Sequence, residues 1–190
     1  NQIIMKSISI SGSVRQNVGK RDAKELRYEG KVPCVLYGGK EQVHFSVFEA
    51  DLKSLVYTPE VYFVELNVDG KKYKATMQDI QFHPLTDLPL HVDFLELDAK
   101  KPVKVALPVR LTGSSRGVLA GGKLMQVFRR LKVVALPGEL PEAIIIDITK
   151  LRIGQSIRVG DLETSGLKFV DAKSAVVVSV KMARGASKAA

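Results

Sequence analysis

The stretch VYFVELNVDGKKYKATMQDI, residues 61–80, decides how the first half of this chain folds. Val61 to Val68 alternates apolar and polar side chains, the period of a strand with one face in a core. Asp69-Gly70 is a strong hairpin signal, because a two-residue turn of the favoured hand needs positive φ at both positions. Lys72 to Ile80 then reads as the return strand. Beyond it, Pro84 to Pro89 makes a longer turn and Leu90 to Leu97 comes back as a further strand. Upstream, Phe48, Leu52, Leu55 and Val56 lie at helical spacing, and Thr58-Pro59 stops that helix. Ser46-Val47-Phe48-Glu49 has the capping-box pattern at its start. Val43 to Val47 and Val32 to Tyr37 read as strands, the second broken by Gly38-Gly39. Asp22 to Gly30 reads as a short helix, with Asp22 as N-cap and Gly30 as terminator. Ile8, Ile10 and Val14 recur at even spacing and predict a first, half-buried strand. The first half is thus strands with two short helices, expected to form a mixed, barrel-like sheet.

Asp98-Ala99-Lys100-Lys101-Pro102 is a polar break and the expected domain boundary. After it the pattern is strand-like. Val103 to Leu111 contains Pro108, which predicts an edge strand or a bulge, since proline cannot donate to a ladder. Thr112 to Gly122 is rich in Gly and Ser and reads as a loop. Leu124 to Leu136, Ala143 to Ile148, Gln155 to Val159 and Ala175 to Lys181 read as strands. The domains expected are 5–97, 98–182 and a mobile tail at 183–190. No function is read into residues 1–4.

Of the 190 residues, 45% are hydrophobic, which is enough for a core and argues against global disorder. No apolar run approaches the roughly 18 to 20 residues that span a membrane. Polar residues interrupt Met5 to Ile10, so it has no signal-peptide core. A single cysteine, Cys34, excludes an internal disulfide and lies in an apolar run, where a buried thiol is the expectation. The net charge of +9 and a pI of about 9.6 favour a polyanionic partner. The distribution says more. Residues 5–97 carry 12 Lys+Arg against 13 Asp+Glu, whereas residues 98–190 carry 17 against 7. Ala99 to Gly138 holds nine basic residues and no acidic one. Any nucleic-acid site in the first half must therefore use placed groups, not a general positive field.

His91 and Asp93 are two apart in a strand, so both point to one face. A carboxylate that orients an imidazole could serve catalysis. The chain offers only three histidines, one apolar-flanked cysteine and no metal-ligand spacing, so no cofactor or metal is expected. The same pair on a solvated strand can be purely structural. It also suits RNA, because an imidazole can stack or donate and a carboxylate accepts from base amino groups. Lys20 and Arg21 follow Gly19 on a loop that lacks the P-loop pattern, so they are either solvated charges or phosphate contacts. Arg27 sits on the short helix, where its planar fork could reach phosphate or a guanine edge. Tyr37 ends an apolar strand before two glycines, either as a rim core residue or with its hydroxyl on an RNA backbone. Arg15 is a cation fixed at the end of the first strand. In the second half, Lys123, Arg129 and Arg130 form a candidate secondary basic patch, and Gly121-Gly122-Lys123 a turn or phosphate nest.

Val14-Arg15, Gly19-Lys20-Arg21, Leu26-Arg27 and Val35-Leu36-Tyr37-Gly38-Gly39, read with Gln81-Phe82-His83-Pro84 and His91-Val92-Asp93-Phe94, carry a family resemblance. The chain resembles the bacterial large-subunit ribosomal proteins number twenty-five, the 5S-rRNA-binding family. The match is to the long two-domain form, called Ctc or general stress protein. The resemblance implies that the first domain docks on the loop E region of 5S rRNA, with Arg15, Lys20, Arg27, Tyr37, His91 and Asp93 on its contact surface; Arg21 is a further RNA-binding candidate beside Lys20. The acid in Gly19-Lys20-Arg21-Asp22-Ala23-Lys24 departs from the family pattern, and so does the short basic tail. Leu107-Pro108-Val109 and Gly117 to Gly122 resemble the family's β extension. The fold class expected is mainly β with a few short helices, a mixed β-barrel-like RNA-binding domain followed by a small all-β domain. The implied protein is non-enzymatic, cytoplasmic and ribosome-bound. Its implied partners are 5S rRNA, large-subunit rRNA and neighbouring ribosomal proteins, with no membrane and no DNA. Two alternatives stay open: a barrel for another structured RNA such as a tRNA anticodon arm, since the fold is similar to the anticodon-binding barrel of glutaminyl-tRNA synthetase, and an enzyme using His91 and Asp93.

Overall fold

Six strands of the first half close on themselves in the computed structural model, which describes residues 6–39, 41–162 and 166–182. Residues 1–5 and the tail at 183–190 lie outside the described residues. The elements in chain order are β1 (Ser7–Val14), α1 (Lys20–Tyr28), β2 (Lys31–Tyr37), β3 (Val43–Phe48), α2 (Glu49–Val56), β4 (Phe63–Val68), β5 (Lys71–Phe82) and β6 (Pro89–Glu96). The barrel order is β1-β3-β2-β6-β5-β4. It is mixed, because β1 pairs with β4 and β2 with β6 in parallel, while the other pairs are antiparallel.

The Asp69-Gly70 turn forms as its dipeptide predicts, with φ of 47° and 85° and Val68 opposite Lys71. Alternation sends Val64, Leu66, Val92, Phe94, Cys34, Leu36 and Phe45 inward, each no more than 1% exposed. The Phe45 and Phe94 rings meet with centroids 5.9 Å apart. A barrel this narrow is filled by its own side chains and holds no channel.

Two capping expectations are corrected. α1 starts at Lys20 with Gly19 as N-cap, so Asp22 lies inside the first turn, where it accepts from Arg15 instead of capping. Ser46 is a strand residue whose hydroxyl meets that of Ser13 at 3.1 Å; the N-cap of α2 is Phe48, with no side-chain bond. The cause is pairing: β3 stays in register with β2 through Lys31 and Phe48, which holds the backbone extended up to the helix. Gly30 ends α1 at φ +74°, as its sequence position predicts.

A second compact unit comprises Lys104–Ala135 and the described residues from Glu139 on; Leu136–Gly138 group with the first unit, which runs to Val103. Its strands are β7 (Val103–Thr112), β8 (Gly122–Gln126), β9 (Arg130–Ala135), β10 (Ile144–Asp147), β11 (Ser156–Arg158), β12 (Lys168–Phe169) and β13 (Val176–Met182). They form a four-stranded sheet, order β10-β7-β9-β12, and a three-stranded one, order β11-β13-β8. Three local expectations change. Thr112 to Gly122 is not wholly loop, since Arg116–Leu119 forms the one-turn helix α3, capped by the Ser115 hydroxyl. Leu124 to Leu136 is not one strand: the chain turns at Val127 and Phe128, whose N–H groups both donate to Val177 O, and β8 and β9 enter different sheets. Pro108 lies on an interior strand, not an edge. The parallel ladder to β10 begins at Val109, so the missing N–H falls just outside it.

Candidate RNA interface

Because Val92 and Phe94 fill the barrel, His91 and Asp93 must point out of it. They meet there, His91 Nδ1 to Asp93 Oδ1 at 2.7 Å, with side chains 31% and 36% exposed. Register brings further groups to the same face. Asp93 lies opposite Val35 on β2 and opposite Asp79 on β5; His91 lies opposite Gln81; and Val35 lies opposite His44 on β3. Tyr37, two beyond Val35, shares the face. Its phenol is held above the ordinary tyrosine range, first by partial burial and then by the negative charges of Asp93 and Asp79. The hydroxyl therefore stays a donor in neutral solution. The face presents donors, acceptors and a ring, which is what reading base edges requires.

α1 packs against β2 at the margin of this face. Arg27 Nε donates to Leu90 O at 3.1 Å, tying the helix to β6 next to His91. Lys20 and Arg21 stand exposed on its first turn, and Arg21 makes only a weak surface pair with Glu25 at 3.3 Å. Arg15 departs from the picture of a solvent-facing cation. Its Nε and Nη2 both bond to Asp22 Oδ2, at 3.1 and 2.5 Å, and the side chain is only 7% exposed. Its backbone N–H also donates to His44 O. Asp22 thus locks the loop and first helical turn to the barrel through Arg15.

Cys34 is fully buried inside the barrel, where burial above all holds its thiol far above the ordinary value, so it is no nucleophile. A cleft of about 310 Å³ at the end of α1 is lined by Lys24, Arg27, Lys31, His83 and Leu90, and neither His91 nor Asp93 enters it. Among the described residues, no group of three or more His, Cys, Asp or Glu could hold a metal, and no helix is long and apolar enough to cross a membrane.

Six barrel residues singled out in the sequence, Lys20, Arg21, Arg27, Tyr37, His91 and Asp93, thus fall on one face and its flanking helix, while Arg15 lies nearly buried behind the loop. The secondary patch does not come together in the same way. Lys123 is on β8, opposite Lys181, while Arg130 is on β9 of the other sheet with Arg129 just before it. Gly121-Gly122 is a helix end and a packing site: Gly121 donates to Val118 O, and a Cβ on Gly122 would sit 2.6 Å from Gly117 O. Sequence reading missed His44, Asp79 and Gln81 as members of the face. His44 was legible as the polar position between Val43 and Phe45. Asp79 was not, because a register shift between Met77 and Asp79 resets which side of β5 faces out.

Residues 10–94 match the family model of the Ribosomal L25p family, and residues 102–184 match that of the ribosomal protein TL5 C-terminal domain. A large ribosomal subunit protein bL25 of Phocaeicola vulgatus is 49% identical over 98% of both chains. Proteins of the same name from Porphyromonas gingivalis and Cytophaga hutchinsonii are 47% and 45% identical, over 98% and 95% of this chain and 98% and 94% of their own. With this likeness to large-subunit ribosomal proteins over nearly its full length, the chain is a structural ribosomal protein and not an enzyme. It belongs to the Ribosomal L25p family of large-subunit ribosomal proteins, in the form that carries a TL5-type C-terminal domain.

Proposed function

We propose that the barrel binds 5S rRNA, at its loop E region, as part of the large subunit of cytoplasmic ribosomes. The observation that carries this reading is the outward face holding Tyr37, Gln81, His91 and Asp93 beside a helix with Lys20, Arg21 and Arg27. Cations neutralise phosphates and set register, while the mixed polar face tests base edges and groove shape. Asp93 is the telling member. A carboxylate repels phosphate, so on an RNA-binding face it must accept from a base donor. Arg15, clasped by Asp22, orders the loop that carries Lys20 and so positions that cation toward the RNA. The second unit, with Lys123, Arg129 and Arg130 as its candidate contacts, adds binding to large-subunit rRNA and its neighbouring proteins. The test is a binding assay of the intact chain with 5S rRNA, a tRNA and an unrelated structured RNA of similar length. Preference for 5S rRNA is expected, and equal affinity for all three overturns the reading.

A further inference from the structure

Nine cations between Ala99 and Gly138 look like a diffuse charge run in the sequence. Folding sorts them. In the four-stranded sheet, Val105, Leu107, Val109, Leu131, Val133, Ile144 and Ile146 are buried, so the alternate positions form the opposite, outward face. On that face β7 presents Lys104 and Arg110, β9 presents Arg130 and Lys132, and β12 presents Lys168, all exposed. The registers agree: Lys168 lies opposite the outward Val134, and Arg110 opposite the exposed Ile145. Lys168 comes from outside the basic stretch, and only strand order brings it in.

We propose that this outward sheet face is the surface by which the second unit docks on an rRNA phosphate backbone. Strands about 4.8 Å apart, with same-face residues roughly 6.8 Å apart along each, spread these five cations over one face, with Lys104 and Arg110 about 20 Å apart on β7. The exposed charged side chains that β7, β9 and β12 place on this face are all cations, which gives a phosphate backbone a positive surface to lie on. Two carboxylates border the face and are engaged with the backbone: Asp147 accepts from Thr149 N–H, and Asp171 from Lys132 N–H. Between the long cations stand Ala106 and Val134, partly exposed and small enough to let a backbone approach closely, while Pro108 is buried. No outward position of these four strands is aromatic, so the contact reads charge and not sequence.

The inference rests on the reading that the second unit contacts large-subunit rRNA, but not on 5S recognition, and the experiment separates the two. Lys104, Arg110, Lys132 and Lys168 are changed together to Gln in the full chain. The matched control changes Arg152, Arg158, Lys173 and Lys181, exposed cations outside this sheet, to Gln. Each protein is measured for co-sedimentation with large subunits lacking it, over a salt series, and separately for binding to free 5S rRNA. Thermal melting checks that both variants fold. The sheet-face variant is expected to lose retention at moderate salt, with a log–log salt slope flatter by roughly 3, or about 0.7 to 0.9 for each phosphate contact removed. The control is expected to keep both retention and slope, and 5S binding to stay unchanged in both. Equal loss in both variants means bulk charge and overturns the proposal, as does full retention by the sheet-face variant. Lost retention with an unchanged slope points to an acidic protein neighbour and overturns it too. A parent that fails to prefer 5S rRNA overturns the barrel reading alone, because retention still reports on the sheet face.

Discussion

Replacing Asp93 with alanine separates recognition from simple attraction. The carboxylate touches His91 at 2.7 Å, yet both side chains are about one-third exposed, so the pair contributes at most about 1 kcal/mol to stability. The barrel should therefore melt within roughly 4 to 8 °C of the parent, the shift that about 1 kcal/mol gives a domain of this size. The effect on RNA has the opposite proportions. A carboxylate accepting from a base amino group discriminates by about 1 to 3 kcal/mol. At about 1.4 kcal/mol per tenfold, that is a loss of roughly 5- to 150-fold for the cognate RNA. An unrelated RNA should bind as well as before or slightly better, because one of two facing carboxylates, Asp93 and Asp79, is gone. Asp93→Asn keeps the shape and an oxygen for His91, and should fall between parent and alanine. The assay is equilibrium binding of labelled 5S rRNA and a length-matched structured RNA at two salt concentrations, with melts of each protein. If Asp93→Ala tightens both RNAs equally, the carboxylate is only a repulsive bystander and the base-reading argument fails.

Asp22→Ala leaves the Arg15 guanidinium almost buried without its carboxylate, and should destabilise the barrel by about 1.5 to 3 kcal/mol in urea titrations. Adding Arg15→Met should recover part of that loss, and no loss in the single variant would refute the clasp. Cys34 should resist thiol reagents in the native chain and react on the timescale of unfolding; fast native labelling would contradict its burial. The raised Tyr37 pKa has a definite sign: the folded barrel favours the neutral phenol, so its contribution is complete below the ordinary value of about 10 and is lost as pH rises above it. Phenolate absorbance of the parent minus Tyr37→Phe should show a midpoint above that of free tyrosine, lowered when Asp93 becomes Asn, and a midpoint at or below the free value refutes the surroundings described.

By itself the sequence determined what is local. Alternation in residues 61–80, positive-φ chemistry at Asp69-Gly70 and the stop at Gly30 specify strands, a hairpin and a helix end, because each depends on neighbours a few residues away. The spacing of His91 and Asp93 put them on one face for the same reason. Tertiary structure alone decided which strands are neighbours. The parallel pairings of β1 with β4 and of β2 with β6 close the barrel across long stretches of chain, and they bring Tyr37 beside Asp93. Pairing also overrode local signals: Ser46 carries a capping pattern yet stays in a strand, and Pro108, which reads as an edge or a bulge, lies on an interior strand just outside the parallel ladder. The register shift in β5 turned Asp79 toward Asp93, and the order β10-β7-β9-β12 gathered five cations from three strands onto one face. A side-chain period fixes which residues share one side of a strand; only the long-range hydrogen-bond ladder fixes what lies across from them.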